Sequence, residues 1–159
     1  MKRHFLLSLA VAFLVSLTFC APMALAKDMT AKDMVGEAKK NICEVSVSES
    51  KALLDKGGYI FLDCREPKEF KMGHVPGAVN IPRGLLEFKI GKAIPDKNAN
   101  IILYCRTGAR SALATRVLNE MGYVNAKNMA GAFKAWGTAG YPVYNRHGEF
   151  VMQVFELKK

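Results

Sequence analysis

Two stretches of the chain are apolar almost without interruption and close on a chemically different residue. They are Tyr59-Ile60-Phe61-Leu62-Asp63 and Ile101-Ile102-Leu103-Tyr104-Cys105. Short continuous apolar runs between polar or glycine-bearing segments predict strands buried on both faces, as in a parallel sheet. Shorter strands are expected around Glu44-Val45, at Ala78–Pro82 and at Ala126–Met129.

Between the strands the pattern changes to a helical period. Ser111 to Met121 reads as a helix with Leu113, Val117, Leu118 and Met121 on one face, stopped by Gly122. Pro67 to Lys71 reads as a short helix ended by Gly73, Leu85 to Ile90 as a helical turn or two, and Ala132 to Trp136 as a last short helix. Ser48 is placed to cap a helix running to Asp55, which Gly57-Gly58 ends. Thr30 with Asp33 forms a helix start, and Met34, Val35, Ala38 and Ile42 follow at helical spacing. The helix over 27–41 is read as a lightly packed extension. Strands alternating with helices give an α/β fold: a central parallel sheet of about five strands with helices on both faces. The tail from Tyr144 is less regular, and Phe150 to Phe155 fits either an edge strand or packing on the core.

The first 26 residues do not belong to this pattern. Lys2 and Arg3 precede an apolar run from Phe5 to Phe19, Pro22 breaks it, and Ala24-Leu25-Ala26 offers small residues at −3 and −1. That is the three-part layout of a signal peptide cleaved after Ala26. A retained membrane anchor is the competing reading. A lipoprotein at Cys20 is a third, weakened by bulky Phe19 where a small residue is wanted. The short basic start points to a bacterial periplasm, with no membrane attachment after cleavage. The expected organisation is leader 1–26, helical extension 27–45, globular domain 46–143 and tail 144–159.

Half of the residues are hydrophobic and 23% are charged, which suits one compact domain and excludes a disordered chain. The net charge of +9 is compatible with an anionic partner. The lysines and arginines are scattered, with no run of five or six basics, so nucleic acid is not expected as a partner. Cleavage after Ala26 leaves Cys43, Cys64 and Cys105, an odd count for an oxidising compartment. At least one thiol is then unpaired or bonded between molecules.

Cys105 is the thiol with chemistry around it. Cys105-Arg106-Thr107-Gly108-Ala109-Arg110-Ser111 places a cysteine at the end of a buried strand, before a short turn into a helix. Ligands of open parallel sheets bind beyond the carboxyl ends of the strands. A helix start and two loop arginines favour the thiolate, and Gly108 lets several N–H groups converge on one sulfur.

Here the sequence resembles the rhodanese-like sulfurtransferases. Phe61-Leu62-Asp63-Cys64-Arg65-Glu66, Gly73-His74-Val75-Pro76-Gly77-Ala78 with Asn80-Ile81-Pro82, the loop Tyr104–Ser111, and Gly131, Trp136 and Gly140-Tyr141-Pro142-Val143 are similar to that family's motifs, in order. The resemblance covers about 46–143. It implies that Cys105 takes a sulfane sulfur from a small anionic donor such as thiosulfate and passes it to a thiol or protein acceptor. Loop N–H groups from Arg106 to Ser111 would cradle the persulfide. Arg110 matches the loop-closing basic residue, and Arg106 is placed to meet the donor's sulfonate at the rim. No metal or organic cofactor is implied. Phosphatases and arsenate reductases of this fold carry the arginine six positions after the cysteine, whereas here that position is Ser111.

Asp63 and Arg65 are expected to order neighbouring loops, His74 to be a hydrogen-bonded loop residue and Trp136 to pack the last helix. Cys64 departs from the family's usual aliphatic residue. The family's strand order sets it beside Cys105, within disulfide range, and makes a redox partnership a hypothesis. In that order Cys43 lies too far from Cys64 to pair. A persulfide carrier, or a thiol redox protein using Cys64 and Cys105, are the alternatives to an enzyme.

Overall fold

The structure, a computed structural model, describes residues 28–152. The expected leader with Ala24-Leu25-Ala26 and Cys20, and the tail beyond Met152, lie outside the described residues.

In chain order the elements are α1 (Ala31–Lys40), β1 (Cys43–Val45), α2 (Val47–Lys56), β2 (Ile60–Asp63), α3 (Pro67–Met72), β3 (Val79–Asn80), a 3-10 turn (Arg83–Leu85) leading into α4 (Leu86–Ala93), β4 (Ile101–Tyr104), α5 (Ala109–Glu120), β5 (Ala126–Met129), α6 (Ala132–Thr138), β6 (Pro142–Asn145) and β7 (Gly148–Val151). β1 to β5 form one parallel sheet in the order β1-β5-β4-β2-β3. The two apolar runs are its central neighbours, paired Ile60↔Ile101 through Asp63↔Tyr104.

Strand alternation divides the core into two layers. Leu62, Cys64, Ile101, Leu103 and Cys105 face α4 and α5, where they meet Leu86, Ile90, Ala114 and Leu118. Phe61, Ile102 and Tyr104 face the other way, toward Val45, Phe133 and Trp136. Trp136 packs edge-on to Phe61 and its Nε1 donates to the Pro142 carbonyl at 2.8 Å, so it seals the last helix onto the sheet as expected.

One local reading is corrected, and two others gain detail. The N-cap of α2 is Ser46, whose Oγ accepts from Glu49 N–H. Ser48 lies inside the helix with its hydroxyl against that of Ser46. Both serines have the right chemistry, and the hydroxyl nearer the turn takes the free N–H groups. Most of α1 is exposed, in keeping with a lightly packed extension. Thr30 and Asp33 form a reciprocal cap, and Ala38 is fully buried on the side of α1 that packs against α5. The segment following Tyr141 is an antiparallel hairpin, β6 with β7, tied to the body by reciprocal backbone bonds between His74 and Tyr144. Phe150 packs on the core from this hairpin and not from an edge strand of the main sheet.

Candidate active site

Cys105 is the first residue beyond β4, at the carboxyl end of the sheet's centre, and only 1% of it is exposed. The loop after it is short because Gly108 has a φ of 98°, a left-handed conformation that glycine adopts without a Cβ penalty. This turns the Gly108 N–H back onto the Cys105 sulfur at 3.2 Å. Ser111, the first buried residue of α5, brings its hydroxyl to 3.6 Å from the same sulfur and also donates to the Gly108 carbonyl. The loop's own carbonyls are held from the opposite side. Phe133 and Lys134, at the start of α6, donate to the carbonyls of Cys105 and Arg106.

These donors are arranged for a thiolate. The Cys105 thiol is drawn down from an ordinary 9.0 to about 4. The leading cause is a hydrogen bond from the Cys64 thiol. Burial opposes it, and the backbone N–H and hydroxyl of Ser111 and the backbone of Thr107 add to it. Cys64 shifts the opposite way, held protonated by donating to Cys105, by burial and by the neighbouring negative charge.

The two loop arginines part company. Arg110 reaches across to α3 and forms a fork with Glu69, at 2.8 and 2.9 Å. That pairing pulls the Glu69 carboxyl down to about 2 and pushes the guanidinium up. Arg106 is exposed and lines a cleft of about 390 Å³ with Arg65, Glu69, Gly73, Phe133 and Phe150. Thr107 on the loop and Ala109 at the start of α5 are exposed.

Asp63 and Arg65 meet at the end of β2. Arg65 donates to both Asp63 oxygens at 2.6–3.0 Å and to the Gly73 carbonyl at 2.7 Å, and its guanidinium lies 4.0 Å from the Phe133 ring centre. Asn80 fastens the same corner by donating to the Asp63 and Arg65 carbonyls. This pair orders two loops, and one edge of Arg65 also reaches the cleft.

His74 stands apart from the sulfur's donors: it stacks on Phe70 at 3.8 Å, with Nδ1 3.0 Å from the Phe70 carbonyl. Among the described residues no group of three or more His, Cys, Asp or Glu could hold a metal ion.

Glu69 and Asn128 were not singled out by the sequence, and Asn80 was noted only as part of a motif, without a role. Asn128 is buried on β5 between Glu44, at 2.6 Å, and the Gly108 carbonyl, at 3.5 Å. Glu69 carried a signal for a different role, since an acid three residues after Glu66 caps α3, which it does.

The rhodanese-like domain family matches residues 46–139. A thiosulfate sulfurtransferase, PspE, of Escherichia coli is 39% identical over 71 residues, 45% of this chain and 68% of that protein. A sulfurtransferase of Allochromatium vinosum is 34% identical over 103 residues, 65% of this chain and 94% of the relative. Among solved structures, a Rhodopseudomonas palustris protein of unknown function, described as a possible tyrosine phosphatase, has a TM-score of 0.69 at 28% identity, covering 78% of this chain and 99% of its own. A human single-domain sulfurtransferase scores 0.53 at 31% identity, covering 58% and 93%. A parallel five-stranded sheet, a cysteine loop at its carboxyl end and a match across 46–139 lead to one conclusion: the chain belongs to the rhodanese-like domain family.

Proposed function

We propose that this chain is a rhodanese-type sulfurtransferase that carries a sulfane sulfur as a persulfide on Cys105. The observation that carries the reading is the Cys105 sulfur itself, a depressed thiol at the strand end with the Gly108 N–H at 3.2 Å and the Ser111 hydroxyl at 3.6 Å. The thiolate attacks the outer sulfur of thiosulfate, or of a donor of the same anionic class. The S–S bond of the donor breaks and sulfite leaves with its electron pair. The persulfide then sits where loop N–H groups offset its charge. A thiophilic acceptor, a small thiol or a protein cysteine, attacks the outer sulfur and Cys105 leaves as the thiolate. The depressed thiol makes it a good leaving group in that half of the cycle.

Arg106, exposed at the rim, is suited to the donor's sulfonate. Arg110 closes the loop through Glu69 without touching the sulfur. The reaction uses no metal or organic cofactor. Six residues from Cys105 to Arg110 suit one sulfur atom better than a tetrahedral oxyanion, so the phosphatase description of the Rhodopseudomonas relative is not carried over. The basic start, apolar run and Ala24-Leu25-Ala26 support export to the periplasm.

The test is an intact mass of the reduced protein after thiosulfate, followed by cyanide and a thiocyanate assay. The mass of one sulfur atom is gained, cyanide discharges it repeatedly, and Cys105→Ser gains nothing. A single discharge without turnover would make the protein a carrier. No adduct at all would reject thiosulfate as donor.

A further inference from the structure

The persulfide cycle uses Cys105 as its nucleophile and gives Cys64 no chemical step, although Cys64 stands at the end of the adjacent strand and draws the Cys105 thiol down. Each cysteine is the first residue past its strand. Asp63 and Tyr104, the residues before them, are register partners on adjacent parallel strands, and the Cys64 N–H donates to the Tyr104 carbonyl at 3.0 Å. Both side chains point into the layer beneath α4 and α5, with Leu62 and Leu103. Their exposures are 0% and 1%, and each thiol shifts the other's titration, Cys105 down and Cys64 up. Neighbouring strands lie about 4.8 Å apart, inside the span of roughly 4.4–6.8 Å between Cα atoms that a disulfide bridges. The other described cysteine does not compete. Cys43 is exposed on β1, and β5 and β4 separate it from β2.

The directions of approach also differ. Gly108 and Ser111 reach the Cys105 sulfur from the loop and from α5, beyond the strand end. Cys64 reaches it sideways from the next strand. A persulfide whose outer sulfur lies among the loop donors leaves its inner sulfur open to Cys64.

We propose that Cys64 is a resolving thiol that converts the bound sulfane sulfur to sulfide. The proposal rests on the persulfide reading above. The Cys64 sulfur attacks Cys105 Sγ, a Cys64–Cys105 disulfide forms and the bond from Sγ to the outer sulfur breaks. The outer sulfur leaves with that electron pair and with the Cys64 proton, as hydrosulfide. The sulfane sulfur is reduced and the two cysteines are oxidised, so this half-reaction needs no outside oxidant. A reducing dithiol, or two monothiols, then reopens the disulfide and restores the thiolate. The chain thus acts as a thiol-dependent reductase of sulfane sulfur when no acceptor captures the persulfide. It rests as a disulfide when thiols run out.

The experiment mixes the reduced, desalted protein with thiosulfate under anaerobic conditions without added thiol, and follows released sulfide, intact mass and a disulfide map. Cys64→Ala is run alongside, with Cys64→Val as the second variant should alanine leave the fold too loose. The wild type is expected to release a single sulfide per chain, lose the mass of two hydrogens and give a peptide linking 64 with 105. Both variants are expected to keep the added sulfur and release no sulfide. A wild type that holds its sulfur as stably as the variants, with Cys64 free, overturns the resolving step and leaves the persulfide standing. No added sulfur on any of the proteins and no sulfide from the wild type overturns the persulfide reading, and the resolving step with it.

Discussion

The ends of β2 and β4 lie side by side and are built from similar parts, an anion and nearby arginines, yet they handle charge in opposite ways. At β2 the anion is Asp63, fully buried, and Arg65 cancels it with a forked pair while its remaining reach goes to the Gly73 carbonyl and the Phe133 ring. At β4 the anion is Cys105, and its contacts are neutral dipoles: the Gly108 N–H, the Ser111 hydroxyl and the Cys64 thiol. The loop arginine best placed to neutralise it, Arg110, is turned to Glu69 instead. An ion pair pins a charge in place. Dipoles suit the proposed cycle, in which the charge would move outward by one sulfur atom and come back, because no partner is stranded when it moves. The first corner is therefore architecture, and the second is suited to chemistry.

The largest effect that would sharpen this contrast is Cys105→Ser, which is expected to abolish sulfur uptake while leaving the fold intact. A serine hydroxyl is not ionised at neutral pH and forms no persulfide. Intact mass after thiosulfate reads uptake, and an unchanged urea midpoint reads folding.

Asp63→Ala tests the other corner. It strands a guanidinium that is 4% exposed, and removing one partner of a buried pair costs about 3–5 kcal/mol. The expected result is a large fall in the urea midpoint. A stability within about 1 kcal/mol of the parent would mean that the Gly73 carbonyl and Phe133 ring suffice for Arg65, and would erase the contrast.

The third expectation is a pH profile. Because the Cys105 thiol is lowered to about 4, the thiolate persists through mildly acidic conditions. The single-turnover rate of thiosulfate loading should stay on its plateau there and fall only as pH drops through that value. Replacing Cys64 by alanine removes the leading cause of the shift, so the midpoint should move upward. A midpoint that stays put would transfer the credit to the loop N–H groups and Ser111.

How much of this was legible in the sequence depended on distance along the chain. The β2 and β4 runs, the Gly108 turn and the start of α5 are local patterns, and the structure has them close to where the residues put them. The layer into which Cys64 points follows from strand alternation, once the register Asp63↔Tyr104 is known. Without that register the side-chain direction stayed open. The Glu69–Arg110 fork was not legible, because its partners lie 41 residues apart and the local pattern already gave Glu69 a task as a cap. Asn128 was missed for a related reason. It sits in a short strand where nothing in the sequence marks one polar residue as buried and another as wet. The β6–β7 hairpin was hidden because its strands form their own small sheet, and an antiparallel pair with one face against the core looks like an ordinary half-polar tail.

The smallest effect belongs to Glu69. Glu69 and Arg110 are each about a third exposed, so solvent screens their attraction and the pair is worth about 0.2–1 kcal/mol despite its forked geometry. Glu69→Gln should therefore lower stability by less than about 1 kcal/mol. The sign with pH follows from the direction of the shift. The folded-state carboxyl is lowered from 4.5 to about 2, so its contribution is complete above the ordinary glutamate range and fades as pH falls toward that lower value. Urea midpoints of parent and variant should differ by a constant amount at neutral pH and converge in acid. A gap that stayed constant in acid would assign the loss to the cap that Glu69 makes with the Glu66 N–H. The fork would then be one more piece of architecture, and the charge contrast between the two strand ends would rest on the sulfur alone.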